Sequence, residues 1–474
     1  MIDATAEQRG GHNVSMLRPV ANRPTRARRA LVPLVAAALL ASGGGAAAAD
    51  APPGSNLRYD FDYPALAYAQ APTDNDISRL DQRLQHGQVT LAEHPTRGYV
   101  DALLKELHID PSSQILIYAK TSLQVDRIDA PTPRAIYFND TSYVAFVQHS
   151  SLIEIATVDP QLGVLFYSLH PEAAKPARFT REVGRCLTCH DTYSMMGGGT
   201  PRVLVTSAPV ILPDGTPPPS ETSSLSTDRT PFAERWGGWY VTGNTHGQPH
   251  LGNRALDDPR YRNGAARVSA PAGELTSLAG VIDTAPYLTD KSDVVALMVL
   301  EHQTHVQNQI VRASFKARTR FAGTAPGQPE PQTWDGLPAQ LQKAFHPLVE
   351  PLAQAVLMEG AIALDAPVAG SAGYETWFQN QGPKDALGRS LRELDLKTRL
   401  FRYPLSFQLY TPAFAALPPY LKDRLYTRIE STLRAAEPAA TRADRRAALE
   451  ILTTTLPEFA AHASASANPA VSSR

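Results

Sequence analysis

The sequence predicts an α+β protein in which an N-terminal antiparallel β meander precedes a mainly helical region. Three observations carry this. Runs rich in β-branched and aromatic residues recur at 115–118, 135–138, 143–147, 152–155 and 164–167. Turn residues separate them: Pro131-Thr132-Pro133, Asn139-Asp140, His149-Ser150, and Asp159-Pro160 with Gly163. From Asp293 onward, apolar residues recur at spacings of three and four instead of two.

In chain order, residues 76–91 carry Ile77, Leu80 and Leu84 at helical spacing, and 96–108 form a second short helix. The meander follows, with about five strands. Residues 179–186 read as a helix that leads into a short cysteine motif, 194–199 as a flexible turn, and 201–212 as a strand. The best helix is 293–312, where Val295, Val299, His302, Val306 and Ile310 form one stripe. Residues 320–334, with their glycines and prolines, read as a linker. Residues 337–358 form a helix that Pro347 and Pro351 are expected to kink or split. Segments 421–433 and 442–456 are amphipathic, and the Ala/Ser-rich stretch 461–474 reads as a disordered tail.

The chemistry lies in Cys186-Leu187-Thr188-Cys189-His190. This Cys-x-x-Cys-His box is the attachment signature of a c-type haem: two thiols bond the ring's vinyl groups, and the adjoining imidazole reaches the iron as proximal ligand. The chain has 2 Cys in 474 residues, both inside the box, so none remains for a cysteine-only zinc site or a further disulfide. A redox dithiol is the alternative reading of the same pair.

The N-terminus agrees with an exported haem protein. Arg23, Arg26, Arg28 and Arg29 precede a short apolar run at 30–40, and small residues extend to Ala49. The pattern is that of a secretory signal peptide over 1–49, and implies a periplasmic location. The apolar run is too short for a stable transmembrane helix, so no membrane span is expected in the mature chain. A net charge of −1 gives no argument for nucleic acid. The expected organisation is the signal peptide, then a helical lead-in plus sheet (50–178), a haem-binding region (179–319), a helical C-terminal region (335–460) and the tail.

Several residues are candidates to complete the haem site. A histidine on an apolar stripe must be hydrogen-bonded or bound to something, which makes His302 the first choice for a distal ligand. His305, one turn on, is second, and Met298, one turn back, is third. Trp236, in the segment Arg235-Trp236-Gly237-Gly238-Trp239, is expected in the wall of the haem pocket; His246 and His250 either approach the ring or, as the favoured reading, belong to a polar loop leaving an aromatic-rich strand. Arg181 and Arg185 are candidate partners for the propionates. Met195 and Met196 follow the box too closely for a simple return to the iron.

The box resembles the c-type cytochromes. The segments Ile136-Tyr137-Phe138-Asn139-Asp140, 235–243 and Glu301-His302-Gln303-Thr304-His305 resemble a group of large exported bacterial proteins described as cytochrome c domain-containing. That resemblance implies one covalent haem c per chain and electron transfer to a redox partner protein or a small oxidant. Diheme peroxidases carry two boxes where this chain has one. A haem enzyme of peroxidase or oxygenase type, with an open distal site, is the alternative, and a haem-free thiol oxidoreductase the third reading.

Overall fold

The computed structural model describes residues 65–170, 177–191, 199–209, 211–212, 215–217, 223–253, 274–435 and 441–467. Residues 1–49, read above as a signal peptide, and Met195 and Met196 lie outside the described residues. All described residues fall in one compact unit.

Helix α1 (Asp76–Gln85) starts at an Asn75 capping box and buries Ile77, Leu80 and Leu84. Helix α2 (Val100–Glu106) buries Val100, Leu103 and Leu104. The meander then runs as β1 (Ile115–Ile117), β2 (Arg134–Phe138), β3 (Ser142–Phe146), β4 (Ile153–Asp159), β5 (Gly163–Leu169) and β6 (Phe179–Arg181). The strands pair antiparallel in sequence order, which short turns allow. The predicted α+β meander is therefore present, with one strand more than expected. β6 lies where a helix was predicted, because Phe179, Thr180 and Arg181 pair with Leu169, Ser168 and Tyr167. β3 and β5 are buried along their whole length, as strands covered on both faces are.

Helix α3 (Gly184–His190) follows β6 directly, so the Cys-x-x-Cys-His box stands at the β6 edge of the sheet. Among the described residues of the stretch 201–212, only Thr206 and Ser207 form a strand (β7), paired with β8 (Ser224–Leu225). Residues 238–240 run along the free edge of β1: Tyr118 donates to the Gly238 carbonyl and Tyr240 to the Leu116 carbonyl. The same segment also lies against Ala208, and that approach needs glycine at 237, where a Cβ would lie 1.7 Å from the Ala208 carbonyl oxygen.

Helix α4 (Val294–Thr324) is the longest, with 31 residues. Its Asp293 cap accepts from Val295 and Ala296 with one carboxylate oxygen, and from Ser371 and Ala372 with the other. The helix is buried on nearly all sides through residue 304. It extends twelve residues past the predicted Arg312 (324 − 312), into the expected linker. Helix α5 (Ala339–Val356) packs along α4 and stays continuous through Pro347 and Pro351. The carbonyls those prolines leave unpaired belong to Lys343 and Pro347, both exposed, so water replaces the lost bonds. After α6 (Tyr374–Gln379) and α7 (Pro412–Ala415), helices α8 (Pro419–Arg434), α9 (Arg442–Thr455) and α10 (Pro457–Ala467) complete the C-terminal layer. α10 carries helix into the stretch expected to be a disordered tail; 468–474 lie outside the described residues.

Candidate haem site

On α3, the Cys186 thiol is half-buried and the Cys189 thiol exposed, and neither is in a disulfide. Burial, helped by Glu182 and Glu154, pushes the Cys186 thiol up to about 12. His190 ends the helix. Its Nδ1 lies 2.8 Å from the carbonyl oxygen of Arg202, and its ring centroid 4.5 Å from that of Phe166 on β5. Burial pushes the imidazole down to about 4, against the opposing pull of that carbonyl. The ring is therefore neutral at physiological pH. Its one proton sits on Nδ1, the nitrogen that faces an acceptor, and the lone pair is left on Nε2. A metal-ligating histidine is ordinarily oriented in this way.

The Arg202 segment is itself anchored to α4. Val203 donates to the Asn308 side chain (3.1 Å) and accepts from it (2.8 Å). Asn308 lies one turn beyond His305, on the same helix face. Two residues on, the Val205 carbonyl accepts from Ser226 N, whose hydroxyl donates to Glu301.

Around α4 these contacts close into a buried polar network. His302 is fully buried. Its Nδ1 is 2.6 Å from Asp228 Oδ2, and its Nε2 2.8 Å from Ser406 Oγ. His305 Nδ1 is 2.7 Å from the other Asp228 oxygen. The two imidazoles hold the Asp228 carboxyl well below the usual carboxylate range, in spite of its burial. Arg235 pairs with Glu301 at 2.9 Å and also binds the Asp228 carbonyl. Glu301 is nonetheless raised to about 7, because its burial outweighs the attraction of Arg235.

With Asp228 ionised, both histidines donate from Nδ1. His302 Nε2 then accepts the Ser406 hydroxyl, and Ser406 Oγ accepts from Gln408 N. Both His302 nitrogens are thus occupied: the first-choice distal ligand is a satisfied core histidine in this arrangement. The Asp228, His302 and Ser406 sequence matches a hydrolase triad in residue type, but the serine and histidine are both fully buried. His305 differs. Its side chain is 10% exposed, and only its Nδ1 is hydrogen-bonded among the described residues.

The other predicted site residues are placed as follows. Met298 is a buried core residue of α4. Trp236 is wholly buried, with ring centroids of Phe232 at 4.8 Å and His250 at 5.4 Å. Its indole joins an aromatic core cluster, and the pocket-wall expectation rested on paired glycines whose role is to lie against Ala208 and β1. His246 is exposed and bound to the Pro367 carbonyl. Arg181, on β6, binds the carbonyls of Tyr68 and Ala71. Arg185 is exposed beside Glu182.

Asp228, Ser406 and Arg202 were not legible as site residues. Asp228 sits in a Ser/Thr-rich loop, Ser406 more than a hundred positions after His302, and Arg202 acts through its backbone. Among the described residues, no group of three or more His, Cys, Asp or Glu side chains forms a metal cluster, and no helix is long and apolar enough to cross a membrane. Comparison with known protein families, with curated proteins and with solved structures gives no match.

Proposed function

We propose that this chain is an exported, periplasmic mono-haem c-type cytochrome-like protein that transfers electrons through one covalently attached haem c. The observation that carries the reading is the His190 Nδ1 to Arg202 carbonyl hydrogen bond. It aims an Nε2 lone pair from the same short helix that presents two unpaired thiols. In this reading Cys186 and Cys189 would hold the haem through thioethers, and His190 would be the residue that ligates its iron. The haem supplies the one-electron couple. The chain's own residues fix the ring tautomer, exclude water on the Phe166 side and hold the box at the sheet edge.

The dithiol alternative is disfavoured by the Cys186 thiol. Oxidoreductase cysteines at a helix start have lowered pKa values, and this one is raised to about 12. The haem-enzyme alternative draws on His305, whose Nδ1 is backed by Asp228 while Nε2 is left to accept a proton.

Expression with a c-type maturation system and acid-acetone extraction tests the proposal. Haem should stay with the polypeptide and give a pyridine haemochrome spectrum of the thioether type. Cys186→Ala combined with Cys189→Ala should lose it. Complete extraction of haem from the native chain, or no Soret band at all, would remove the proposal.

A further inference from the structure

The two faces of the meander differ where α3 meets it. On one face Ala135, Tyr137, Val144, Phe146, Ile153 and Ile155 are buried. The alternate residues Arg134, Ile136, Glu154 and Ala156 belong to the other face and are only half-buried. Ala156 pairs across the ladder with Phe166, the residue that stands 4.5 Å from the His190 ring. Ile136, Ala156, Val183 and Val203 are apolar, packed against the core, and still half-open. Two of them flank the box: Val183 precedes α3, and Val203 follows the residue whose carbonyl meets His190 Nδ1.

Arg134 is the cation of this strip. Its Nη2 donates to Thr121 Oγ1 at 3.2 Å, and its Nη1 is 3.6 Å from Glu154 Oε2. Its Nε is buried and has no partner among the described residues. Glu154 already has donors of its own, the Ser122 hydroxyl at 2.6 Å and the Leu123 N–H at 3.0 Å. Both charges reach the box. Burial is the main cause that raises the Cys186 thiol, and Glu182 and Glu154 add to it. Burial likewise depresses the His190 imidazole, and Arg134 adds to that. The arginines nearer to the box in sequence are engaged elsewhere: Arg181 holds the Tyr68 and Ala71 carbonyls, and Arg185 lies exposed, 3.9 Å from Glu182.

We infer that this strip of the sheet is the bed of the haem, with Arg134 as the partner of a propionate. The inference rests on the haem reading above. A macrocycle tethered at Cys186 and Cys189 needs an apolar surface beside the tether and a cation for its carboxylates. Ile136, Ala156 and Phe166 supply the surface. Arg134 supplies the cation, and a carboxylate gives its buried Nε the acceptor that the strip lacks.

The test uses the full chain, loaded by a c-type maturation system. Arg134→Gln should favour the ferric form by about tenfold, a fall of about 59 mV in the one-electron midpoint. Arg134→Lys should recover most of that shift. Glu154→Gln removes a negative charge beside the same guanidinium and should move the midpoint the opposite way. The propionate bending band in the resonance Raman spectrum should be displaced in Arg134→Gln. Ile136→Trp should lower the haem-to-chain ratio severalfold, since it fills the strip. Ser122 and Leu123 still satisfy Glu154 in Arg134→Gln, so that variant keeps the fold, which circular dichroism of the apo chain verifies. A native chain that takes up no covalent haem removes the haem reading and this inference together. A loaded native chain whose midpoint and propionate band are unchanged in Arg134→Gln, and whose loading is unchanged in Ile136→Trp, overturns this inference alone.

Discussion

The Nδ1 of His190 lies 2.8 Å from the carbonyl oxygen of Arg202. That contact sets the tautomer of the ring, and burial sets its charge. The imidazole's pKa falls from 6.5 to about 4. A base with a depressed folded pKa keeps its full contribution above about 6.5 and loses it as pH falls through about 4. Protons therefore compete for Nε2 only in that acid range. In the haem-loaded protein, the Soret change that marks loss of the axial imidazole is expected with a midpoint near or below pH 4. A midpoint near 6.5 would contradict the half-buried, carbonyl-anchored ring.

His302 and His305 should separate cleanly by spectroscopy. His305→Ala removes the imidazole with a free Nε2, so it should alter the spin state or the carbon monoxide affinity of the ferrous protein. His302→Ala should leave both near native values. It should instead lower stability by about 3 kcal/mol, because Asp228 and Ser406 lose partners in the core. The reverse pattern would restore His302 as the distal residue.

Asp293 joins the start of α4 to the 369–372 loop through four backbone N–H groups. Asp293→Ala should cost about 3–5 kcal/mol in urea unfolding, from a lost helix cap and newly unpaired buried donors. Asp293→Asn keeps an acceptor oxygen and should cost less. Equal losses in the two variants would show that the carboxylate charge, not the geometry, holds the junction.

Glu301 gives a pH signature. Its pKa rises from 4.5 to about 7 on folding, because burial outweighs the pull of Arg235. A raised folded pKa means that its contribution is full below about 4.5 and is lost as pH rises through about 7. The loss is at most about 3 kcal/mol. Glu301→Gln should flatten the pH dependence of the unfolding midpoint between about 4.5 and 7, although it lowers stability overall by leaving Arg235 without its counter-ion. An unchanged slope would assign that window to other groups.

The meander was legible because each strand is bounded by turn residues and its register follows from short hairpins. β6 was not, since Phe179-Thr180-Arg181 is too short to show a period of two and pairs only because Leu169 is already in place. The stripe on α4 was legible as well, but the partners of His302 were not. Glu301, Gln303 and Gln307 are buried beside it, so the helix is enclosed on nearly all sides around His302, and a buried histidine there needs no cofactor to satisfy it. What satisfies His302 lies on loops distant in sequence, at Asp228 and Ser406. The box itself could be read without structure, whereas the Arg202 carbonyl that orients its histidine has no side-chain signature.

Asn308 grips both the N–H and the carbonyl of Val203, next to the residue that orients the His190 ring. The five-residue motif is consequently not a portable cassette. A fragment cut before Val294 would keep the whole Cys-x-x-Cys-His motif and lose the clamp that steers the His190 imidazole, since the guiding contact is inherited from more than a hundred positions downstream.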